Sequence, residues 1–346
     1  MSKVLSVCVP SYNMEKYLNR CIDSFLVPEV LDRLELIIVN DGSTDETLSI
    51  ANDYKARYPQ TIVVIDKPNG HYGSCVNASL KIATGKYFRI VDADDWVDSN
   101  ALVTFINKLE TIDVDCVCTK YTVHNFKSDT IKTEVHEAPF DRYLDLEFFK
   151  LPESCFFMHV LTYSTELLHR IDYIQSEGIC YTDTEYSYMP LACSKNIYFV
   201  NLSLYQYFYG RDDQSMSAVV LQKNLNHILG TLQKIQSVHL RHDSSQFNQN
   251  EGSIYSALAG RLIDMAVPVY LQYFNYNKTI DVFLKQSISS LCKTNRRDYH
   301  GFRDYTLCRV PYVSLWYKSR GHSKYIMLMT KLLRKSIDFY NSNFSH

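Results

Sequence analysis

Four short β-rich runs in the first hundred residues each end in polar turn residues, with helical stretches between them. Val4 to Val9 closes at Pro10. Glu15 to Leu26 follows, with apolar Leu18, Ile22, Phe25 and Leu26 at helical spacing. Leu34 to Val39 is a continuous apolar run, as expected of a strand buried on both faces. Asp41-Gly42-Ser43-Thr44-Asp45 then leads into a helix, with Ser43 and Glu46 at capping-box spacing. Ile62 to Ile65 precedes the turn Lys67-Pro68-Asn69-Gly70, a helix over Ser74 to Ala83 and a fourth strand, Tyr87 to Val91. Consecutive βα units predict a parallel, doubly wound sheet.

Such sheets bind ligands at the carboxyl ends of their strands. Here those ends carry Pro10-Ser11-Tyr12-Asn13, Asn40-Asp41-Gly42-Ser43, Asp66-Lys67-Pro68-Asn69 and Asp92-Ala93-Asp94-Asp95. Neither GxGxxG nor GxxxxGK[ST] occurs, which argues against a standard dinucleotide or P-loop site. Asp92, Asp94 and Asp95 offer hard oxygens suited to Mg or Mn, which complete their shells with water and substrate phosphates. Alternatively they form an acidic turn before a helix capped by Asp98 or Ser99. Asp41 suits either a base or ribose contact or a turn-forming Asx role, and Tyr12 can pack on a base.

Together, Pro10-Ser11-Tyr12-Asn13, Val39-Asn40-Asp41-Gly42-Ser43-Thr44-Asp45, Asn69 to Gly73, Asn77, Ala83-Thr84-Gly85-Lys86-Tyr87 and Val91-Asp92-Ala93-Asp94-Asp95-Trp96 form an ordered set. Over about the first 110 residues it resembles the nucleotide-sugar half of the family 2 glycosyltransferases with a GT-A fold. The resemblance implies a mixed Rossmann-like sheet flanked by helices and a nucleotide-sugar donor, usually UDP-linked. Asp41 would contact the base, Asp92 and Asp94 would form the DxD motif that holds Mn or Mg, and Pro10, Tyr12, Asn13, Asn69 and Asn77 would line the donor site. Many members have Arg before the position of Asn77, where this chain has Val76. Lys67, His71 and Arg211 are the candidates to replace it.

Inverting transfer needs a group that deprotonates the acceptor hydroxyl while the metal stabilises the departing diphosphate. Gly178-Ile179-Cys180-Tyr181-Thr182-Asp183-Thr184-Glu185 resembles the family segment whose Asp opens a helix and serves as base; Thr182 stands where that Asp commonly follows Glu. Asp183 is the expected base, with a helix N-terminal charge as its plainer role, and Glu185 ranks second. Tyr205 to Ser217 resembles the closing strand and the Arg-x-x-x-Ser loop, in which Arg211 would grip diphosphate or pair with Asp212 or Asp213. Phe156, Phe157, His159 and Tyr163 fall where acceptor recognition would lie, most of them expected in the core.

The expected domains are residues 1–217, split near 110 into donor and acceptor halves, and a mainly helical 218–346. Helices are expected over Val220 to Leu240, Ile254 to Phe274 with Pro268 as a kink or break, and Ile280 to Leu291. Of 346 residues, 46% are hydrophobic and 21% charged, which excludes a disordered chain. The ten cysteines form no framework and read as small core residues of a reducing compartment. Residues 293–346 hold eleven Lys or Arg against three Asp. That asymmetry suits an anionic partner; given the resemblance, no nucleic acid is expected, and the tail either lies on an anionic membrane surface or packs internally. Without a signal-like or spanning apolar run, the expected location is cytoplasmic, reaching to the inner face of the membrane.

The expected activity is sugar transfer to a saccharide or lipid-linked acceptor in cell-surface polysaccharide synthesis, by metal-assisted single displacement. A catalytically inactive sugar-nucleotide-binding or scaffold subunit of a polysaccharide assembly complex is the alternative. A nucleotidyltransferase would want a Gly-rich, Arg-containing loop where Pro10 to Asn13 stand. Self-association is left open.

Overall fold

The computed structural model describes residues 3–134, 138–210, 218–240 and 246–273. They divide into two compact units, one holding the described residues up to 210 with 246–254, the other 218–240 with 255–273.

In the first unit β1 (Leu5–Ser11), β2 (Leu34–Asp41), β3 (Ile62–Lys67) and β4 (Tyr87–Ile90) pair in parallel, in the order β3-β2-β1-β4. Helices α1 (Leu18–Phe25), α2 (Thr47–Arg57) and α3 (His71–Ile82) connect them. All eight residues of β2 are buried, as its unbroken apolar run requires. On α1 the buried Leu18, Cys21, Ile22 and Phe25 repeat at the spacing of one helix face. The expected capping box does not form. Asp45 Oδ1 accepts from the Thr47 N–H (3.0 Å), so α2 starts at Thr47, while Ser43 Oγ accepts from the Asn13 N–H at 3.0 Å.

Beyond β4 the sheet is mixed. β5 (Trp96–Val97) and α4 (Ser99–Thr111) are followed by β6 (Cys116–Asn125), β7 (Thr130–Glu134), β8 (Tyr143–Asp145), β9 (Leu161–Ser164), α5 (Thr165–Arg170), α6 (Asp183–Cys193) and β10 (Asn196–Tyr209). β9 inserts antiparallel between β4 and β6; β6 then pairs in parallel with β10, and β5 closes antiparallel on β10. Asp98 caps α4 by accepting from the Ala101 N–H at 2.8 Å.

Thr84 and Gly85, part of the sequence signature, serve the scaffold. The buried Glu35 carboxylate accepts from Ser6 Oγ (2.5 Å), Thr84 N–H (2.9 Å) and Thr84 Oγ1 (2.8 Å). A Cβ on Gly85 would lie 2.4 Å from the Ser6 nitrogen, so no larger residue fits beneath β1.

Asn248 Nδ2 donates to the Leu191 and Ser194 carbonyls, both at 2.8 Å, which ties the 246–254 segment into this first unit. In the second unit the helix expected from Val220 is interrupted by a turn at Asn224, giving α7 (Ala218–Lys223) and α8 (Leu225–Leu240). α9 (Glu251–Tyr273) begins in the first unit, ends in the second and continues past Pro268. His239 stacks on Tyr255 at 4.0 Å and 2°. The expected helix 280–291 and the basic tail lie outside the described residues. No disulfide joins any of the eight described cysteines, seven of which are buried. No helix among the described residues is long and apolar enough to cross a membrane.

Candidate functional site

The carboxyl ends of β1, β2 and β3 knit one cluster. Asn13 Oδ1 accepts from the Thr44 N–H at 2.9 Å, and Asn69 Nδ2 donates to the Asp41 carbonyl at 3.0 Å. Gly42 takes a φ of +74°, and a Cβ there would sit 2.9 Å from the Asn69 nitrogen, so the turn requires glycine. Asp41, only 3% exposed, receives the Lys67 ammonium, the Gly70 N–H (2.9 Å) and the more distant Ser74 hydroxyl (3.5 Å), all on Oδ1. This arrangement leaves Oδ2 to meet a ligand N–H or O–H. Pro10 lies within β1, and Tyr12 is exposed beside Asn13. Asn13, His71 and Tyr181 take a positive φ (55°, 63° and 66°), uncommon for residues with a side chain, as do Asp129, Asp141 and Asp172 elsewhere.

A second cluster follows β4. Asp92 accepts from the Tyr72 hydroxyl at 2.7 Å, and that hydroxyl also lies 3.2 Å from the Met158 sulfur. Burial first, then the negative charge of Asp94, pushes the Asp92 carboxyl up to about 7. Asp183 adds to the same shift and also raises Tyr72, whose main perturbation is burial. Asp183 thus stands within electrostatic reach of Asp92 although 91 positions separate them in sequence. The fold brings them together through α6: Tyr186 donates to the Phe88 carbonyl of β4 at 3.1 Å and meets Tyr163 edge-on at 5.0 Å, so the start of α6 is pinned near the end of β4.

Asp92, Asp95 and His159 place donor atoms within 4.8 Å of one another, a grouping that leaves out Asp94. Asp95, 1% exposed, already accepts from Tyr205 Oη (2.5 Å) and the Phe208 N–H (2.7 Å), and so anchors the turn to β10. Burial, then Asp94 and Asp92, raise its carboxyl well above the usual range. The donor set, two carboxylates crowded beside an imidazole with Asp94 adding its charge, suits a hard divalent cation, whose charge relieves their repulsion.

Glu185 is buried and accepts from the Ser176 N–H at 2.9 Å, a structural commitment that favours Asp183 over it. Asn77 clamps the segment before α6: its Nδ2 donates to the Gln175 carbonyl and Glu177 Oε1, each at 2.9 Å, and its Oδ1 accepts from the Gln175 N–H. Lys67 is engaged by Asp41, and the His71 ring lies 3.7 Å from the Cys180 sulfur, so two of the residues considered as replacements for the missing Arg have other partners. Arg211 lies outside the described residues. Phe156 and Tyr163 are core, whereas half-buried Phe157 and His159 pack on Tyr121. Tyr72 has no role assigned from the sequence, and Asp95, read there only as a possible hard oxygen ligand, is here held by Tyr205 and Phe208. Tyr72 is visible only as a tyrosine two positions after Gly70, and no local signal marks His159 as a partner of Asp92, 67 positions away.

The architecture is that of the GT-A fold. It is similar to S. aureus TarS 1-349, solved in complex with UDP-GlcNAc (TM-score 0.62, 19% identity, covering 92% of this chain and 93% of that one). It is also similar to the mannosyltransferase PcManGT from Pyrobaculum calidifontis, solved with GDP-Man and Mn2+ (TM-score 0.52, 14% identity, 100% and 89% covered). Residues 6–170, just under half of the chain, match the family model Glycosyl transferase family 2. Over 107 residues it is 39% identical to the poly(ribitol-phosphate) beta-glucosyltransferase of Bacillus spizizenii, covering 30% of this chain and 17% of that protein. Its matches span between 10% and 40% of the length of such curated relatives.

Proposed function

We propose that the protein transfers a sugar from a nucleotide-sugar donor to a saccharide or lipid-linked acceptor during cell-surface polysaccharide synthesis, with inversion at the anomeric carbon. The observation that carries this reading is the convergence of Asp183 on Asp92 at the carboxyl edge of the sheet. Asp41 receives the base or ribose through its open oxygen, between the Asn13 and Asn69 turns. Asp92 and Asp94 would hold a divalent cation, which when bound neutralises charge on the departing diphosphate. His159 brings an imidazole nitrogen within 4.8 Å of carboxylate oxygens of Asp92 and Asp95, and Asp95 anchors the turn to β10. Asp183, at the first position of α6, takes the proton from the acceptor hydroxyl as it attacks.

The TarS complex supports a UDP-sugar and the PcManGT complex a GDP-sugar with Mn2+; the UDP-linked donor is favoured because the TarS likeness is the greater. The teichoic-acid relative supports a cell-surface polymer as the product. The basic tail would bring the enzyme to an anionic membrane where lipid-linked acceptors reside. A thermal-shift screen of UDP- and GDP-sugars with and without Mn2+ tests the donor assignment. A bound donor at a hundredfold excess over its Kd stabilises the native state by about 2.7 kcal/mol. Stabilisation by a UDP-sugar that requires Mn2+ is expected; no shift with any nucleotide sugar would overturn the proposal.

A further inference from the structure

The turn bearing Asp92 and Asp94 is gripped by two consecutive residues of α1. Arg20 Nη2 donates to the Asp94 main-chain carbonyl at 2.6 Å, and the Cys21 thiol lies 3.8 Å from the Asp92 carbonyl as donor. The Arg20 guanidinium carbon sits 3.9 Å from the Trp96 ring centroid and 4.6 Å from that of Phe208. A planar cation packed against two rings set at an angle to each other has little freedom to rotate, so its N–H is aimed rather than merely near. Phe208 in turn donates its N–H to Asp95, and Trp96 pairs with Gln206 across β5 and β10. Helix, turn and strand thus close into one bracket, with Arg20 as the piece that joins all three.

We propose that Arg20 is a positioning residue that fixes the Asp92–Asp94 turn for divalent-cation binding, acting through the Asp94 main chain. This role rests on the donor-site reading above. Magnesium-type ions tolerate little distortion of their shell, so a loosened turn loses metal affinity before it loses fold. Asp41 and its partners lie at the ends of other strands, so nucleoside contacts should be spared.

The test uses the full chain as wild type, Arg20→Gln, Arg20→Lys and the control Arg57→Gln, whose guanidinium stacks on Tyr54 at 4.0 Å in α2. Calorimetric titration measures Mn2+ binding in the presence of UDP, and UDP binding without metal. In both Arg20 variants the Mn2+ Kd should rise about tenfold or more, the range seen when partners of metal ligands are removed. Metal-free UDP affinity and the Arg57 control should not change. Wild-type Mn2+ affinity in Arg20→Lys would mean that charge alone suffices and would overturn the positioning role. So would an equal loss of metal-free UDP affinity, which would signal general loosening. If Arg20→Gln does not fold, Arg20→Lys decides. A wild type that binds UDP with no Mn2+ dependence would sink the donor-site reading itself, whereas metal dependence retained in every variant would sink only the role of Arg20.

Discussion

Asp41 and Asp92 both follow parallel strands of one sheet, yet their surroundings are opposite in sign. Asp41 has a lysine ammonium, a backbone N–H and a hydroxyl on one of its oxygens. Asp92 has one phenol donor and two like charges, Asp94 and Asp183, and its carboxyl is pushed up to about 7. One region is therefore complete before any ligand arrives; the other is under repulsion that a cation would relieve. The contrast implies that nucleoside recognition tolerates the absence of metal, while diphosphate binding and chemistry do not.

The strongest way to break this contrast is Asp183→Asn. Turnover should fall by about a hundredfold to ten-thousandfold, because the amide cannot take the acceptor proton, while donor affinity stays close to wild type. Steady-state rates set beside donor binding make the separation visible; near-normal turnover would return Asp183 to a helix-end role. Next, Asp94→Ala should abolish the Mn2+ stimulation of UDP binding and leave the melting temperature nearly unchanged. Equal stimulation in variant and wild type would remove Asp94 from the metal site.

Gly73→Ala probes how Asp183 is delivered. A Cβ at Gly73 would lie 2.0 Å from the Ser176 carbonyl oxygen, so the 175–182 segment has to move. A stability loss of about 1–3 kcal/mol is expected in denaturant titration, with turnover reduced more than metal-free UDP binding. If stability falls and turnover per folded molecule does not, Asp183 is held by α6 alone. Asp41→Ala should have the smallest effect, weakening UDP by about tenfold with or without Mn2+, within the range for a hydrogen bond to a charged group. A loss seen only with Mn2+ would erase the distinction between the two regions.

Much of the parallel half was legible because its signals are local. Leu34 to Asp41 reads as a buried strand from its own residues, and the aspartates that end β2 and precede β5 stand out from the turn chemistry around them. The other half depends on β9 entering between β4 and β6, and no periodicity announces a strand order. Tyr72, His159 and Arg20 reach the Asp92 turn only once that order is set, so their roles were invisible in sequence. Asn77 was grouped with the donor residues, and its use as a clamp on Gln175 and Glu177 depends on a contact 98 to 100 positions away. Ser43 misled because Asp45 competes for the same helix start through a shorter loop.

The clamp at Asn77 and the absence of space at Gly73 also bear on how such enzymes can be recombined. Grafting a relative's first hundred residues onto this chain's later segment would join α3 to a 175–177 stretch it was not matched with, even if every carboxylate were retained. A chimera that carries both sides of that seam from one parent should assemble a working pair of halves. One that splits it should fold each half and misplace Asp183, the proposed base, so new specificities would be reached by exchanging matched pairs rather than single halves.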